Sequence, residues 1–197
     1  MQEILQPYLP EHALEYCIQL SKKYHFQLDF SFDRKSKFGH YKYLPQTNTH
    51  IISINKGLSK PLFLITYLHE LAHLEVMIKF KRKAKPHGSE WKQTFSSFLS
   101  PLLNDSVFDS SLLQALTTHL KNPKASLSAD HHLWELLMDT NPYQSLKIRD
   151  INIEEHFIFK KRVFKKLKTR RTRALCLEPA SGNQYLIPLI ATVEKAN

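Results

Sequence analysis

Hydrophobic and polar positions alternate with regular periods along the first third of the chain. Residues 11–23 repeat apolar positions at helical spacing, and residues 26–32 alternate apolar and polar side chains as a half-buried strand does. Residues 39–44 and 49–55 show two more strand patterns. The first third of the sequence therefore predicts a helix followed by a three-stranded antiparallel sheet.

The most hydrophobic segment is residues 61–80, and it predicts a helix that is buried on nearly all sides. Pro61 stands at its start, where proline is favoured because the N–H that it lacks would have no helical partner there. Four polar positions in its middle follow helical spacing and fall within one arc of about 100°. They are Thr66, His69, Glu70 and His73.

This polar arc contains the pattern HELAH, in which His69 and His73 lie four residues apart. Side chains at this spacing share one helix face, so both imidazoles can bind one metal ion. Glu70 is then placed to act as general base on a metal-bound water. Burying these groups without partners would cost several kcal/mol, which a metal ion would offset. The pattern therefore favours a catalytic zinc site over a structural polar stripe.

A catalytic zinc needs a third protein ligand and one open position. His87 is the first candidate, because residues 81–86 are long enough to bring the chain back to His73. Gly88 permits a sharp turn after this ligand. Glu90 is the second candidate, and otherwise serves as a carboxylate behind the ligands or in the first turn of the next helix.

A second amphipathic helix follows, with Ser89 as its predicted N-cap and Pro101 near its end. Its apolar positions recur at i, i+4, i+7 and i+8, so this face can pack on the first helix and hold His87 in place. They are Trp91, Phe95, Phe98 and Leu99.

Helical patterns continue at residues 110–120 and 129–138, where the periodicity is weaker. His131 and Glu135 lie four residues apart there and invite a second metal site. Their position near a helix start, above a buried leucine face, favours an ordinary amphipathic helix instead.

Residues 157–173 hold nine lysines and arginines and no acidic residue, interleaved with apolar and aromatic side chains. The pattern predicts a small antiparallel sheet. Cations beside aromatic rings are typical of nucleic-acid binding, and a second basic cluster lies between His73 and His87. We therefore expect nucleic-acid contacts from Lys81, Arg82, Lys83, Lys85, Lys160, Lys161, Arg162, Lys165, Lys166, Arg170, Arg171 and Arg173.

The composition is that of a basic globular protein. The chain has 197 residues, a formal net charge of +10 at pH 7 and a hydrophobic content of 42%. Cys17 and Cys176 do not make a disulfide framework, and no basic N-terminal stretch precedes an apolar one. We expect a cytoplasmic protein without a membrane partner, and association with the nucleoid stays open.

The segment HELAH followed by PHGSEW resembles the SprT-like zinc metalloprotease family, which includes the Spartan DNA–protein crosslink protease. Residues 36–41, 50–55 and 122–126 are similar to that family as well. The resemblance implies Zn²⁺ as cofactor, ligands at His69, His73 and His87, and catalysis by Glu70. Many bacterial members end in a four-cysteine zinc ribbon, which a chain with two cysteines cannot form.

Together these observations predict an α+β protein in three parts. Residues 1–122 form a zincin-like SprT-like metalloprotease domain, residues 123–150 a helical connector, and residues 151–197 a basic β-rich segment. The expected function is a zinc metalloendopeptidase that acts on nucleic-acid-associated proteins. The expected partners are protein substrates and DNA, with RNA left open. The alternative is a non-proteolytic nucleic-acid-binding protein with a structural or vestigial zinc site. The sequence gives no oligomeric state.

Overall fold

The structure is a computed structural model that describes residues 1–31, 38–139, 146–189, 191 and 193–196, without the side chains of residues 31, 82, 139 and 195. It divides the chain into two compact units, Met1–Tyr143 and Gln144–Asn197. Each unit has a hydrophobic core of its own. The protein is mixed α+β, as expected.

The described residues of the first unit form six α-helices and three strands. In chain order they are α1 (Gln2–Leu5), α2 (Glu11–Ser21), β1 (Gln27–Ser31), β2 (Gly39–Leu44), β3 (Thr49–Asn55), α3 (Lys60–Phe80), α4 (Ser89–Leu99), α5 (Ser110–His119) and α6 (His131–Asp139). Short 3₁₀ turns lie at Lys81–Lys83, Ser100–Leu102 and Leu127–Ala129. The predicted bounds of β2 and β3 agree with those observed.

The sheet of the first unit is mixed, so the prediction of an antiparallel sheet is wrong for one strand. The strand order is β1-β3-β2, with β2 antiparallel and β1 parallel to β3. The four residues between β2 and β3 are a hairpin loop, which requires antiparallel neighbours. The longer connection after β1 imposes no such direction, and β3 takes the central place.

Helix α3 is the centre of the first core, because its sequence is apolar on nearly every side. Leu62, Leu68 and Leu74 are fully buried, and the helix packs against β2, β3 and α4. By length and composition α3 could also cross a membrane, but 72% of its most apolar window is buried inside the protein. Its burial is that of a core helix.

Helix α4 presents to α3 the apolar face that its sequence predicts. Trp91, Phe95, Phe98 and Leu99 are all buried. The N-cap is Gly88 and the helix begins at Ser89, one residue earlier than expected. The Ser89 hydroxyl instead donates to the Glu90 carboxylate (3.1 Å).

The boundary between the two units lies inside the expected connector, residues 123–150. Leu133 and Leu137 of α6 are buried in the first core, whereas Ile148 and Ile151 are buried in the second. The first part of the connector therefore belongs to the first unit and its last part to the second, because burial of these apolar side chains ties each part to a different core. The second unit also contains a 3₁₀ turn at Ile148–Asp150.

The second unit contains an antiparallel sheet in the region expected for one. Its strands are β4 (His156–Phe159), β5 (Arg162–Thr169), β6 (Arg173–Leu177), β7 (Gln184–Pro188) and β8 (Glu194–Lys195). The order is β7-β6-β5-β4-β8, and every pair is antiparallel. One face buries Phe157, Phe164, Ala174, Cys176 and Ile187.

Candidate metal centre

Three histidine side chains of the first unit converge on one point. The Nε2 atoms of His69 and His73 lie 3.2 Å apart, and that of His87 lies 3.0 Å from His73 and 3.2 Å from His69. Among the described residues, these three form the one group of histidine, cysteine or carboxylate side chains that could hold a metal ion. Glu90, the second candidate for the third ligand, is not part of this group. The first candidate, His87, is the one that the structure brings to His69 and His73.

The geometry of the three nitrogen atoms fits a tetrahedral metal site. Zinc binds imidazole nitrogen at about 2.0–2.1 Å, which in a tetrahedron separates two ligand atoms by about 3.3 Å. The observed separations of 3.0–3.2 Å are close to that value. Three protein ligands leave a fourth position for water or substrate. All three histidines are partly exposed, so solvent can reach the site.

The environment keeps these imidazoles neutral, which metal binding requires. Burial, followed by the neighbouring His73 and His87, lowers the pKa of His69 to about 3. Burial and the nearby His87 lower the pKa of His73 to about 4, and burial also lowers the pKa of His87. The three rings are therefore free of protons that would compete with a cation near neutral pH.

Trp91 of α4 holds all three ligand rings in place. Its ring centroid lies 4.6 Å from that of His69, 5.5 Å from His73 and 4.7 Å from His87. Its indole N–H donates to the backbone carbonyl of His69 (3.3 Å). Phe95 in turn stacks on Trp91, with ring centroids 5.1 Å apart. The apolar face of α4 therefore orients the ligands as well as covering α3.

His87 has the backbone conformation that a tight turn requires. The Gly88 N–H donates to the Lys85 carbonyl (2.9 Å), Pro86 takes the second position, and His87 has φ of 55° at the third. This combination is a type II turn, whose third position favours glycine. The sharp turn therefore occurs at the ligand, whereas Gly88 has an ordinary φ of −71°. Backbone strain of about 1–3 kcal/mol is typical of functional positions.

Glu70 lies between the sheet and the three ligands. It is 7% exposed and shares its helix face with His69 and His73. A Cβ atom placed on Gly39 would lie 2.6 Å from Thr66 Cγ2 and 2.8 Å from Glu70 Oε1. The absence of a side chain at the start of β2 therefore lets the strand approach α3 at the catalytic candidate.

Tyr41 and His50 extend the site along the sheet, and sequence reasoning missed them. The Tyr41 ring lies nearly parallel to that of His73, at an angle of 12° and a centroid distance of 6.4 Å. The Tyr41 hydroxyl is 2.7 Å from His50 Nδ1, and Tyr43 stacks on His50 at 4.7 Å. The available signal was the hairpin register, which pairs Tyr43 with His50 and places Tyr41 diagonally across.

Of the basic residues expected near the site, Lys81, Lys83 and Lys85 are exposed on the segment that joins α3 to His87. The side chain of Arg82 lies outside the described residues. The family-like positions Ser36 and Lys37 lie outside them too.

The basic residues of the second unit divide into different environments. Lys166 is 3% exposed, and its ammonium donates to the carbonyls of Ile148 (2.9 Å) and Ile151 (2.6 Å). Its prediction as a nucleic-acid contact is therefore wrong, because alternation along β5 turns it into the core with Phe164. Lys165 pairs with Glu154.

The Arg162 side chain also has partners within the second unit. It pairs with Glu178, donates to the Tyr185 hydroxyl (2.9 Å) and lies over the rings of Phe164 and Tyr185. The remaining cations are exposed and, within the part of the chain that the structure describes, have no carboxylate partner. They are Lys160, Lys161, Arg170, Arg171 and Arg173.

No known protein family, curated protein or solved structure matches this chain.

Proposed function

We propose that this chain is a zinc-dependent endopeptidase that acts on proteins associated with nucleic acid. The observation that carries the proposal is the convergence of the His69, His73 and His87 Nε2 atoms within 3.2 Å of one another, with Glu70 on the same helix face. A purely structural site has no need of that carboxylate, because it closes the fourth position with another ligand.

The chemistry divides between the ion and the chain. Zinc, when bound, supplies a Lewis acid that acidifies water and polarises a peptide carbonyl. His69, His73 and His87 hold it as neutral donors. Glu70 accepts a proton from the attacking water and returns it to the departing amine. Gly39 packs closely against the Glu70 side chain, which limits the space in which that side chain can move.

The edge of the sheet beside α3 supports a peptide as the substrate. The Asn55 N–H donates to the Phe38 carbonyl (2.9 Å), which fixes the alternation of hydrogen bonds between β2 and β3. The backbone groups of Gly39, Tyr41 and Tyr43 therefore point away from β3, to the outer edge. An extended peptide can add to such an edge as a further strand.

The exposed cations of the second unit support nucleic acid as the partner. Five exposed lysines and arginines lie at residues 160–161 and 170–173, at the ends of β4, β5 and β6, where phosphates can reach them. Such residues also support the second candidate function, a nucleic-acid-binding protein in which the metal has no catalytic role. The buried carboxylate of Glu70 favours the enzyme.

The test is proteolysis by a matched pair of variants. We expect Glu70→Gln to bind one zinc per chain and to lose about 10³-fold of the cleavage rate of unfolded casein, because it removes the general base. Glu75→Gln is the control, since Glu75 is equally buried on α3 but contacts Lys79 and Tyr24. Elemental analysis gives the metal, and chelation should abolish cleavage by the wild type.

A DNA-crosslinked protein, offered with and without free DNA, tests the substrate class. Cleavage that DNA stimulates supports the full proposal. Equal cleavage with and without DNA would show that the basic sheet takes no part in the reaction. Equal rates for the wild type and Glu70→Gln would contradict the enzyme and favour the nucleic-acid-binding alternative.

A further inference from the structure

The sheet face that packs on α3 changes character along its length. Phe30, Ile52 and Ile54 make its apolar end in the core, and Tyr41, Tyr43 and His50 make its polar end, where Tyr41 lies beside His73. Polar groups cost free energy to bury unless they are hydrogen-bonded, so packing alone does not account for this end.

The register between β2 and α3 places Tyr41 next to the metal centre. Gly39 meets Glu70, and Tyr41, two residues further along the same strand face, lies over the His73 ring. Strand and helix thus run side by side through the site. Tyr41 therefore brings a phenol ring beside one of the three ligand rings, on a strand at the edge of the described sheet.

The Tyr41 hydroxyl is oriented by His50. The two groups are 2.7 Å apart, and Tyr43 stacks on His50 and restricts its rotation. Burial raises the pKa of Tyr41 and lowers that of His50, so both are neutral near pH 7. If His50 carries its proton on Nδ1, it donates to the phenolic oxygen, and the phenolic proton is free for another acceptor.

We propose that Tyr41, held by His50, donates a hydrogen bond to the carbonyl oxygen of the scissile peptide as that oxygen gains negative charge. The proposal rests on the proposed function for its substrate, but it concerns a group outside the ligand set and Glu70. Removing one such donor typically costs about 10²–10³-fold in kcat, with little change in KM. Its partner His50 is a positioning residue, acting through Tyr41.

The first experiment compares Tyr41→Phe with Tyr43→Phe in the zinc-loaded protein. Tyr43 is the matched control, because its hydroxyl binds Asn48 and its ring stacks on the same histidine. The probe is a phosphinic peptide, whose tetrahedral anionic centre replaces the scissile amide, measured by calorimetry beside the ordinary peptide. We expect Tyr41→Phe to weaken phosphinate binding by at least about 10-fold. Binding of the ordinary peptide and of zinc should stay within about 2-fold, as should every value for Tyr43→Phe.

The second experiment tests the orientation by His50. Nitrogen-15 NMR of the wild type should find the proton of His50 on Nδ1. His50→Asn, whose amide N–H can take the place of Nδ1–H, should retain most of the phosphinate affinity, and His50→Leu should lose it as Tyr41→Phe does. An unprotonated Nδ1, or equal phosphinate affinity in Tyr41→Phe and Tyr43→Phe, overturns the proposal.

The readouts separate this proposal from the proposed function. If the wild type binds zinc and the phosphinate but cleaves no protein, the endopeptidase assignment fails and the phosphinate comparison still decides the role of Tyr41. If the wild type does not bind the phosphinate at all, the proposal for Tyr41 is overturned as well.

Discussion

The histidine cluster of the first unit and most basic residues of the second unit lie in opposite settings. In the first, His69, His73 and His87 are neutral, partly buried and fixed by Trp91. In the second, charged side chains cover a small sheet and most extend into solvent. A helix brings residues four apart to one face, whereas a strand sends neighbours to opposite faces. A motif on a helix therefore predicts which side chains lie close together. A run of charged residues on a strand instead divides between the two faces of the sheet.

Lys166 gives the sharpest test of that division. Methionine in its place keeps most of the volume and leaves the carbonyls of Ile148 and Ile151 without their buried donor. We expect Lys166→Met to lower the free energy of unfolding by about 3 kcal/mol. Lys160→Met, at an exposed turn, should change it by less than about 0.5 kcal/mol. Urea denaturation measures the free energy of unfolding of both variants. Similar losses in the two would show that the buried contacts of Lys166 do not stabilise the protein.

Gly39 tests whether the approach of the sheet positions Glu70. Alanine at this position meets Thr66 and Glu70 at distances below 3 Å, so one of them must move. We expect Gly39→Ala to lose about 2 kcal/mol of stability and about 10²-fold of the cleavage rate. Gly182→Ala is the control, because no described atom lies within 4 Å and its φ of 69° costs stability alone. Full activity in Gly39→Ala would show that the contact is not required.

The exposed arginines of the second unit test nucleic-acid binding. Arg170, Arg171 and Arg173 replaced together by glutamine should weaken DNA binding about 10-fold and reduce the slope of log K against log salt by about 2–3, if each meets one phosphate. Fluorescence anisotropy at several salt concentrations measures this. The control removes three exposed charges of the first unit, with glutamine at positions 22, 23 and 121. If the two triple variants weaken DNA binding equally, the net charge of the protein alone accounts for its affinity for DNA.

His87 gives the smallest effect and tests the strain in the ligand turn. In metal-free protein, His87→Gly should be about 1 kcal/mol more stable than His87→Ala, because glycine relieves the positive φ. In α5 the order should reverse, with Thr117→Ala more stable than Thr117→Gly by about 1 kcal/mol. Thermal unfolding in chelator measures both pairs. The same order at the two positions would contradict the turn assignment.

Much of the first unit could be predicted from the chain, because its elements have strong periodicity. The apolar segment before Phe80 forms the core helix, and the spacing of His69 and His73 brings their rings together. His87 is brought to them because residues 81–86 are long enough for the chain to double back. The direction of β1 could not be predicted, since a strand pattern is the same in parallel and antiparallel pairs.

Neither the contact between Tyr41 and His50 nor the burial of Lys166 could be predicted from the sequence pattern, and the reason is the same for both. Each depends on which strand face a residue occupies and on what packs there. A shift of one residue in register would reverse both assignments. Only the hairpin register brings His50 to Tyr41.

The sequence by itself determined the core helix and, on its polar face, two imidazoles and the carboxylate, because helical periodicity converts spacing directly into proximity. Only the tertiary structure decided which side chains of the sheets meet that face and which lysines turn inward. Those contacts join residues from different elements, and the free energy that selects them comes from packing rather than from local pattern.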